Sequence, residues 1–245
     1  MTIAENIEAV RAVISNSARR AGRDPSDVTL IAVSKTQPAA AVLQAVQAGV
    51  QHFGENRVEE SIVKIPAVAA GIDSPVAWHM IGHIQSRKAK NVVPLFDTVH
   101  SLDSDRLADK LAQAARDAQK RLDVFIEVNV SGETSKEGFA LHGWAENQAL
   151  FGDFCRSVES LAMLEGLRVI GLMTMAPIVE SMEQARPIFE SLRRLRDAVH
   201  AASGIELPAL SMGMTDDYPV AIEEGATHVR VGRAIFGERR MMNVE

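Results

Sequence analysis

Apolar positions along this chain fall into two alternating patterns, short continuous runs and longer stretches with helical spacing. Ile3, Ile7, Val10 and Ile14 share one helical face, and the pattern stops near Gly22 and Pro25, which predicts an amphipathic first helix. Residues 28–33 (Val28-Thr29-Leu30-Ile31-Ala32-Val33) then read as a strand buried on both faces, as parallel strands are, ending in Ser34-Lys35-Thr36. Alanine-rich residues 39–48 predict a helix closed by Gly49, and His52-Phe53-Gly54-Glu55 a second strand. The alternation continues with a strand at 78–81, a helix at 86–93, a strand around Val99-His100-Ser101, and a helix capped by Ser104. A strand at 122–130 precedes a long helical stretch that includes residues 144–164. Strands at 167–173, 210–212 and 228–231 complete the series, with a helix marked by Met182, Ala185, Phe189, Leu192, Leu195 and Val199 between the first two. Eight strands alternating with helices predict a closed (β/α)8 barrel with an extra N-terminal helix, in preference to an open doubly wound sheet.

A length of 245 residues and a hydrophobic content of 47% suit one large core, so a single domain over residues 1–245 is expected. The 32 acidic against 26 basic side chains give a net charge of −6, which repels a phosphate backbone and argues against nucleic acid as a partner. The single cysteine, Cys155, reads as a buried helix residue and fits a reducing compartment. The start Met1-Thr2-Ile3-Ala4-Glu5-Asn6 lacks the apolar region of a secretory leader, and no apolar run approaches the ~20 residues of a membrane span. A cytoplasmic location is expected.

The working residues of such a barrel lie at the C-terminal ends of its strands. Lys35 ends the first strand, where partial desolvation would free its amine for Schiff-base formation, although a solvated or ion-paired lysine fits the position as well. Ser211-Met212-Gly213-Met214 and Val231-Gly232-Arg233-Ala234 end the seventh and eighth strands, the place where barrels frequently hold phosphate. Arg230 shares the face of Gly232 and points toward the mouth, there to meet a ring nitrogen or to pair with Glu55 or another acidic residue inside the barrel. The run Arg87-Lys88-Ala89-Lys90 reads as a solvated helix face, with an electropositive rim as the alternative. Asp216 and Asp217 read as helix-start residues. His79, His83, His100 and His228 are scattered over different strands and loops without ligand spacing, so no metal site is expected.

On these residues the chain resembles the YggS/PROSC-type pyridoxal phosphate homeostasis family, itself similar to the barrel domain of alanine racemase. The resemblance spans essentially the whole sequence. It is carried by residues 32–36, by Phe53-Gly54-Glu55-Asn56, Trp78-His79-Met80-Ile81-Gly82 and Gly171-Leu172-Met173-Thr174-Met175, and by residues 210–214 with Asp217 and residues 229–237. It implies that Lys35 carries pyridoxal 5′-phosphate (PLP) as an internal aldimine, that Arg230 faces the ring nitrogen, and that Asn56 lies near the ring. It further implies that Ser211, Gly213, Gly232 and residue 233 surround the phosphate. Two positions depart from the family pattern. Arg233 stands where a small hydroxyl residue is common, and Arg87 where asparagine is usual.

The resemblance implies a protein that carries PLP and delivers it to recipient apo-enzymes, without robust catalysis of its own. The alternative is an amino-acid racemase, which needs a second acid/base group opposite the lysine. In alanine racemases that group is a tyrosine of an added domain, whereas the one tyrosine here, Tyr218, stands at a helix start. A phosphosugar-binding barrel without PLP explains the phosphate loops but not the whole-chain likeness. With no second domain, a monomer is the default expectation.

Overall fold

The structure, a computed structural model, describes residues 1–238. Eight parallel strands close into a barrel: β1 (Thr29–Val33), β2 (His52–Glu55), β3 (Ala77–Met80), β4 (Thr98–Leu102), β5 (Leu122–Asn129), β7 (Leu167–Met173), β8 (Ala209–Met214) and β9 (His228–Val231). Closure comes from β1 pairing with β9 on one side and β4 with β5 on the other, every ladder being parallel. These are the eight strands expected, and the fold is the predicted (β/α)8 barrel. A two-residue strand that the sequence does not announce, β6 (Phe139–Ala140), adds to the end of β5 outside the barrel.

The outer ring contains α2 (Ala39–Gln47), α3 (Val58–Ala69), α4 (Ala89–Val92), α5 (Asp105–Asp117), α6 (Gln148–Ala162), α7 (Arg186–Ser203), α8 (Tyr218–Glu223) and α9 (Arg233–Phe236). Helix α1 (Ile3–Arg20) precedes them, with a capping box between Thr2 and Glu5 that contributes about 1 kcal/mol. It buries Ile7, Val10 and Ile14 and is tied to the last strand-helix unit by Asn6 Nδ2, which donates to Ile235 O at 2.8 Å. Residues 144–147 form turns instead of continuing the expected long helix, because Asn147 caps α6 by accepting from Leu150 N. Within the expected 86–93 helix only a 3-10 turn and four α-helical residues form. Helix α3 was not anticipated.

The main core lies between strands and helices, with a second small cluster, Phe125, Met173 and Ala209, apart from it. Side chains alternate along each strand, so rows of inward residues lead from the barrel interior to its mouth. One row is Ile31, Val33 and then Lys35, and another is His52, Gly54 and then Asn56. The row of β9 is His228, Arg230 and Gly232, while β8 turns Ala209 and Ser211 inward before its register slips and Gly213 comes to face α8. Contacts agree with this reading, since a Cβ on Gly54 would meet Ile31 Cγ2 at 3.0 Å, Ile81 Cδ1 at 3.3 Å and Val33 Cγ2 at 3.4 Å.

Candidate functional site

The rows bring Lys35, Asn56, Gly213 and Gly232 to the same end of the barrel. Val33 pairs with Gly54 in the β1–β2 ladder, so Lys35 and Asn56, each two residues on, leave the barrel side by side. Lys35 is half-buried in a turn whose next residue, Thr36, has φ +65°, a left-handed conformation that bends the chain sharply away from the strand. Its predecessor is fixed from three sides. Ser34 N donates to Gly54 O at 2.9 Å, Ser34 Oγ donates to Glu55 Oε1 at 2.7 Å, and Ser34 O accepts from Lys64 Nζ at 2.9 Å.

Lys64 also meets Glu55 Oε1 at 2.8 Å, and both side chains are buried. This pair answers one expectation with a correction: Glu55 is engaged by Lys64 and Ser34, not by Arg230. Burial pushes the Glu55 carboxyl up, and the Lys64 contact opposes that rise. Two oxygens here, Glu55 Oε2 and Asn56 Oδ1, are buried without a hydrogen-bond partner among the described residues. Such orphans are uncommon in folded proteins and mark places where a ligand or water completes the set.

On the other side of β1 lie β9 and then β8, whose ends carry the two glycines. Gly232 packs so closely that a Cβ would lie 3.2 Å from Val33 O and 3.3 Å from Val33 Cβ. Gly213, at φ +91°, would place a Cβ 2.6 Å from Ala221 Cβ and 2.9 Å from Tyr218 Cα. Gly213 therefore demands glycine for both space and backbone conformation, whereas Gly232 is a tight position where a side chain would have to push Val33 back by a few tenths of an ångström. Thr215 Oγ1 lies 3.4 Å from Gly232 N, and Met214 N donates to Asp217 Oδ1 at 2.6 Å. The Arg233 side chain turns outward and meets Asp216 at 2.5 and 2.6 Å, tying the loop after β9 to the loop after β8.

Arg230 is buried. Its Nη1 donates to Ser211 Oγ at 2.5 Å and its Nη2 to Thr174 O at 3.0 Å. Burial lowers its pKa to about 10, against the pull of Asp217 and Glu127, so the guanidinium stays charged at neutral pH. Ser211 thus stands with Arg230 in the barrel interior, its hydroxyl engaged there, while Gly213 sits two residues nearer the mouth.

Behind Ser211 runs a chain of imidazoles that the sequence reading missed. His100 Nδ1 lies 2.7 Å from Ser211 Oγ, His79 Nδ1 2.9 Å from His100 Nε2, and His52 Nδ1 3.0 Å from His79 Nε2. His228 packs within ring-contact distance of His79 and His100, and Phe125 stacks on His100 at 4.4 Å. Of the four histidines that look scattered in the sequence, His79, His100 and His228 therefore meet inside the barrel together with His52, because β2, β3, β4 and β9 each turn one inward, while His83 stands exposed beside Asp103. Burial holds His79 and His100 well below the usual imidazole range, and lowers His228 to about 4. With all three neutral, one proton order satisfies every contact: Arg230 to Ser211, Ser211 to His100, His100 to His79, His79 to His52. His52 in turn lines a cavity of about 390 Å³ on the N-terminal face of the barrel, opposite the mouth.

The remaining mouth residue of note is Glu127, on the inward row of Phe125 in β5. It is 5% exposed, and burial, with Asp103 adding repulsion, raises its carboxyl to about 7.

Against known proteins, the sequence profile of the family described as "Alanine racemase, N-terminal domain" matches residues 5–240. Pyridoxal phosphate homeostasis proteins are similar over nearly their full length. The one from Aquifex aeolicus is 39% identical over 98% of this chain and 100% of its own, and that from Pseudomonas aeruginosa 42% identical over 97% and 96%. Among solved structures, PipY of Synechococcus elongatus with PLP bound superposes with a TM-score of 0.82 at 32% identity, covering 96% of this chain and 100% of that one. Alanine racemase from Clostridium difficile, at 14% identity and a TM-score of 0.68, shares the fold over 98% of this chain and 58% of its own.

Proposed function

This chain belongs to the alanine racemase N-terminal domain family, and from that premise we propose that it is a PLP-binding protein of intracellular PLP homeostasis, a carrier that holds the cofactor and delivers it to apo-enzymes. The observation that carries this reading is the mouth itself. A half-buried lysine, an orphaned buried oxygen of Asn56 after the strand on one side of it, and the closely packed Gly232 after the strand on the other, with Gly213 beyond, line one side of it. These residues fit the cofactor: Lys35 as its covalent anchor, Asn56 beside the ring, Arg230 toward the ring nitrogen, and Gly213, Gly232 and the backbone of Arg233 around the phosphate. Ser211 serves in this scheme by holding Arg230, to which its hydroxyl is hydrogen-bonded. Bound there, the cofactor would supply a reactive aldehyde and an electron-withdrawing ring.

The residues around it favour retention over turnover. The Ser34–Glu55–Lys64 cluster fixes the backbone that presents Lys35, so the amine is held at a constant place. The Arg230 cation disfavours a second positive charge on a facing ring nitrogen, which weakens the ring as an electron sink. A racemase would also need an acid/base group on the face opposite Lys35. Tyr218 lies 6% exposed in the main hydrophobic core, packed under Gly213.

No helix of the described residues is long and apolar enough to cross a membrane, and we place the carrier in the cytoplasm as a monomer. The test is spectroscopic and then kinetic. Purified protein loaded with PLP should show a visible absorption band, and should racemise free amino acids far more slowly than the ~10 per second common for enzymes. A colourless protein that binds sugar phosphates overturns the PLP reading, and racemisation near that rate overturns the carrier reading.

A further inference from the structure

We propose that the half of the mouth across from Lys35 holds a divalent cation of the Mn²⁺ kind, bound by His83, Asp103 and Glu137. These residues come from three separate segments, following β3, β4 and β5. One ligand atom from each lies within 4.8 Å of the other two. His83 Nδ1 and Asp103 Oδ2 are 2.9 Å apart, close to the ~3.0 Å that separates two donors bound at right angles to one ion at about 2.1 Å. His83 and Glu137 are exposed and have the rotamer freedom to close the third edge. Asp103 is held by a hydrogen bond from Ser104 Oγ to its other oxygen, at 2.9 Å. One imidazole and two carboxylates, with the remaining positions left to water, suit manganese and its neighbours.

A second observation points to a cation independently of that cluster. Glu127 is 5% exposed, and no hydrogen bond or ion pair holds its carboxylate among the described residues. It lies against the cluster: its Cγ stands where a Cβ on Gly138 would come within 2.9 Å, beside Glu137, and the charges that act on it are those of Asp103, Arg230, Glu137 and His83. Arg230, the one buried guanidinium nearby, is hydrogen-bonded to Ser211 and Thr174 instead. A buried carboxylate facing two others without a donor is costly, and a dication between them removes that cost. The glycine is part of the device, since Gly138 at φ +99° lets the segment after β5 fold back onto Glu127 and deliver Glu137.

The experiment titrates the full chain, with and without PLP, with Mn²⁺ and follows the sharp electron paramagnetic resonance signal of the free ion. One Mn²⁺ per chain should disappear from that signal. Asp103→Asn and Glu137→Gln should each weaken binding by at least about tenfold, and Glu127→Gln by about tenfold through lost charge behind the site. Glu206→Gln, a change at an exposed carboxylate elsewhere, should leave it unchanged. Circular dichroism of each variant establishes that it is folded before its titration is read. An unchanged free-ion signal at millimolar protein overturns the proposal, as does binding that Asp103→Asn and Glu137→Gln leave intact or that Glu206→Gln weakens equally.

Discussion

Arg230 Nη1 meets Ser211 Oγ at 2.5 Å, and His100 Nδ1 approaches the same oxygen at 2.7 Å from the other side of the barrel. The direction of the buried cation is thus set by a hydroxyl that is itself oriented by a neutral imidazole. His100→Phe keeps the ring that stacks on Phe125 but removes both nitrogens, leaving the Ser211 hydroxyl proton and His79 Nδ1 without their partners. An unsatisfied buried group costs about 1–3 kcal/mol, so urea unfolding should show a loss of that order. The visible band of the PLP-loaded variant should shift as Arg230 loses its fixed direction. Unchanged stability together with an unchanged spectrum would remove the imidazole chain from any role in holding Arg230.

Two lysines near the β1 end can be told apart by chemistry. Borohydride reduction followed by peptide mass spectrometry should place a phosphopyridoxyl group on Lys35 and none on Lys64, whose Nζ is already committed to Ser34 O and Glu55 Oε1. Lys35→Ala should abolish the adduct and leave the fold intact. Lys64→Met should retain the adduct and lose about 3–5 kcal/mol of stability, because it leaves Glu55 buried without its partner. An adduct found mainly on Lys64 would reverse the assignment.

The barrel was legible because parallel strands buried on both faces leave short apolar runs, plainest in β1, β5 and β7, while β2, β4 and β9, which carry polar residues, were placed by the alternation with helices. Lys35, Gly213 and Gly232 were legible as candidates because they end strands, where a barrel keeps its working residues, and Arg230 because alternation puts it on the face of Gly232. What alternation does not reveal is how rows face one another. His52, His79, His100 and His228 belong to four strands far apart in sequence, and only barrel closure brings them together. Glu55 illustrates the same limit. Alternation puts it on the face opposite to Gly54 and Asn56, and its partner there is Lys64, from a helix that its mixed pattern and Pro66 concealed.

Acid should weaken the fold, with a sign that follows from two opposing groups. His228 has a folded pKa of about 4 against about 6.5 unfolded, and burial lowers His79 and His100 in the same direction. Their contribution is present above pH ~6.5 and is lost as pH falls toward the folded values, by about 3 kcal/mol for His228 alone. Glu127, raised to about 7, acts the other way: its stabilising contribution is present below its unfolded pKa near 4.5 and is lost as pH rises through 7. Three imidazoles outweigh one such carboxyl, so the urea midpoint in metal-free buffer should fall from pH 6.5 to 4. It should fall more steeply in Glu127→Gln, where the opposing contribution is gone. A midpoint that rises on acidification, or a shallower fall in the variant, would show that these groups do not titrate as their burial requires.

The phosphate side of the mouth makes opposite demands on two adjacent residues. Gly232 is constrained by contact, since a Cβ there would lie 3.2 Å from Val33 O and 3.3 Å from Val33 Cβ, two residues before Lys35. Gly232→Val adds branches to that close approach and should weaken PLP binding by at least about tenfold, or about 1.4 kcal/mol. Arg233 is constrained only by its exposed pair with Asp216, and exposed pairs contribute about 0–1 kcal/mol. With the guanidinium turned to Asp216, the phosphate would be met by the backbone of residue 233, and Arg233→Ala should change PLP affinity by less than about threefold. Titrating both apo variants with PLP and with pyridoxal separates the possibilities. A loss confined to the phosphorylated form in Gly232→Val locates the phosphate at this strand end. Equal losses for both forms would mean it lies elsewhere, and a loss in Arg233→Ala as large as in Gly232→Val would mean that the guanidinium leaves Asp216 to take the place of the hydroxyl that this chain lacks.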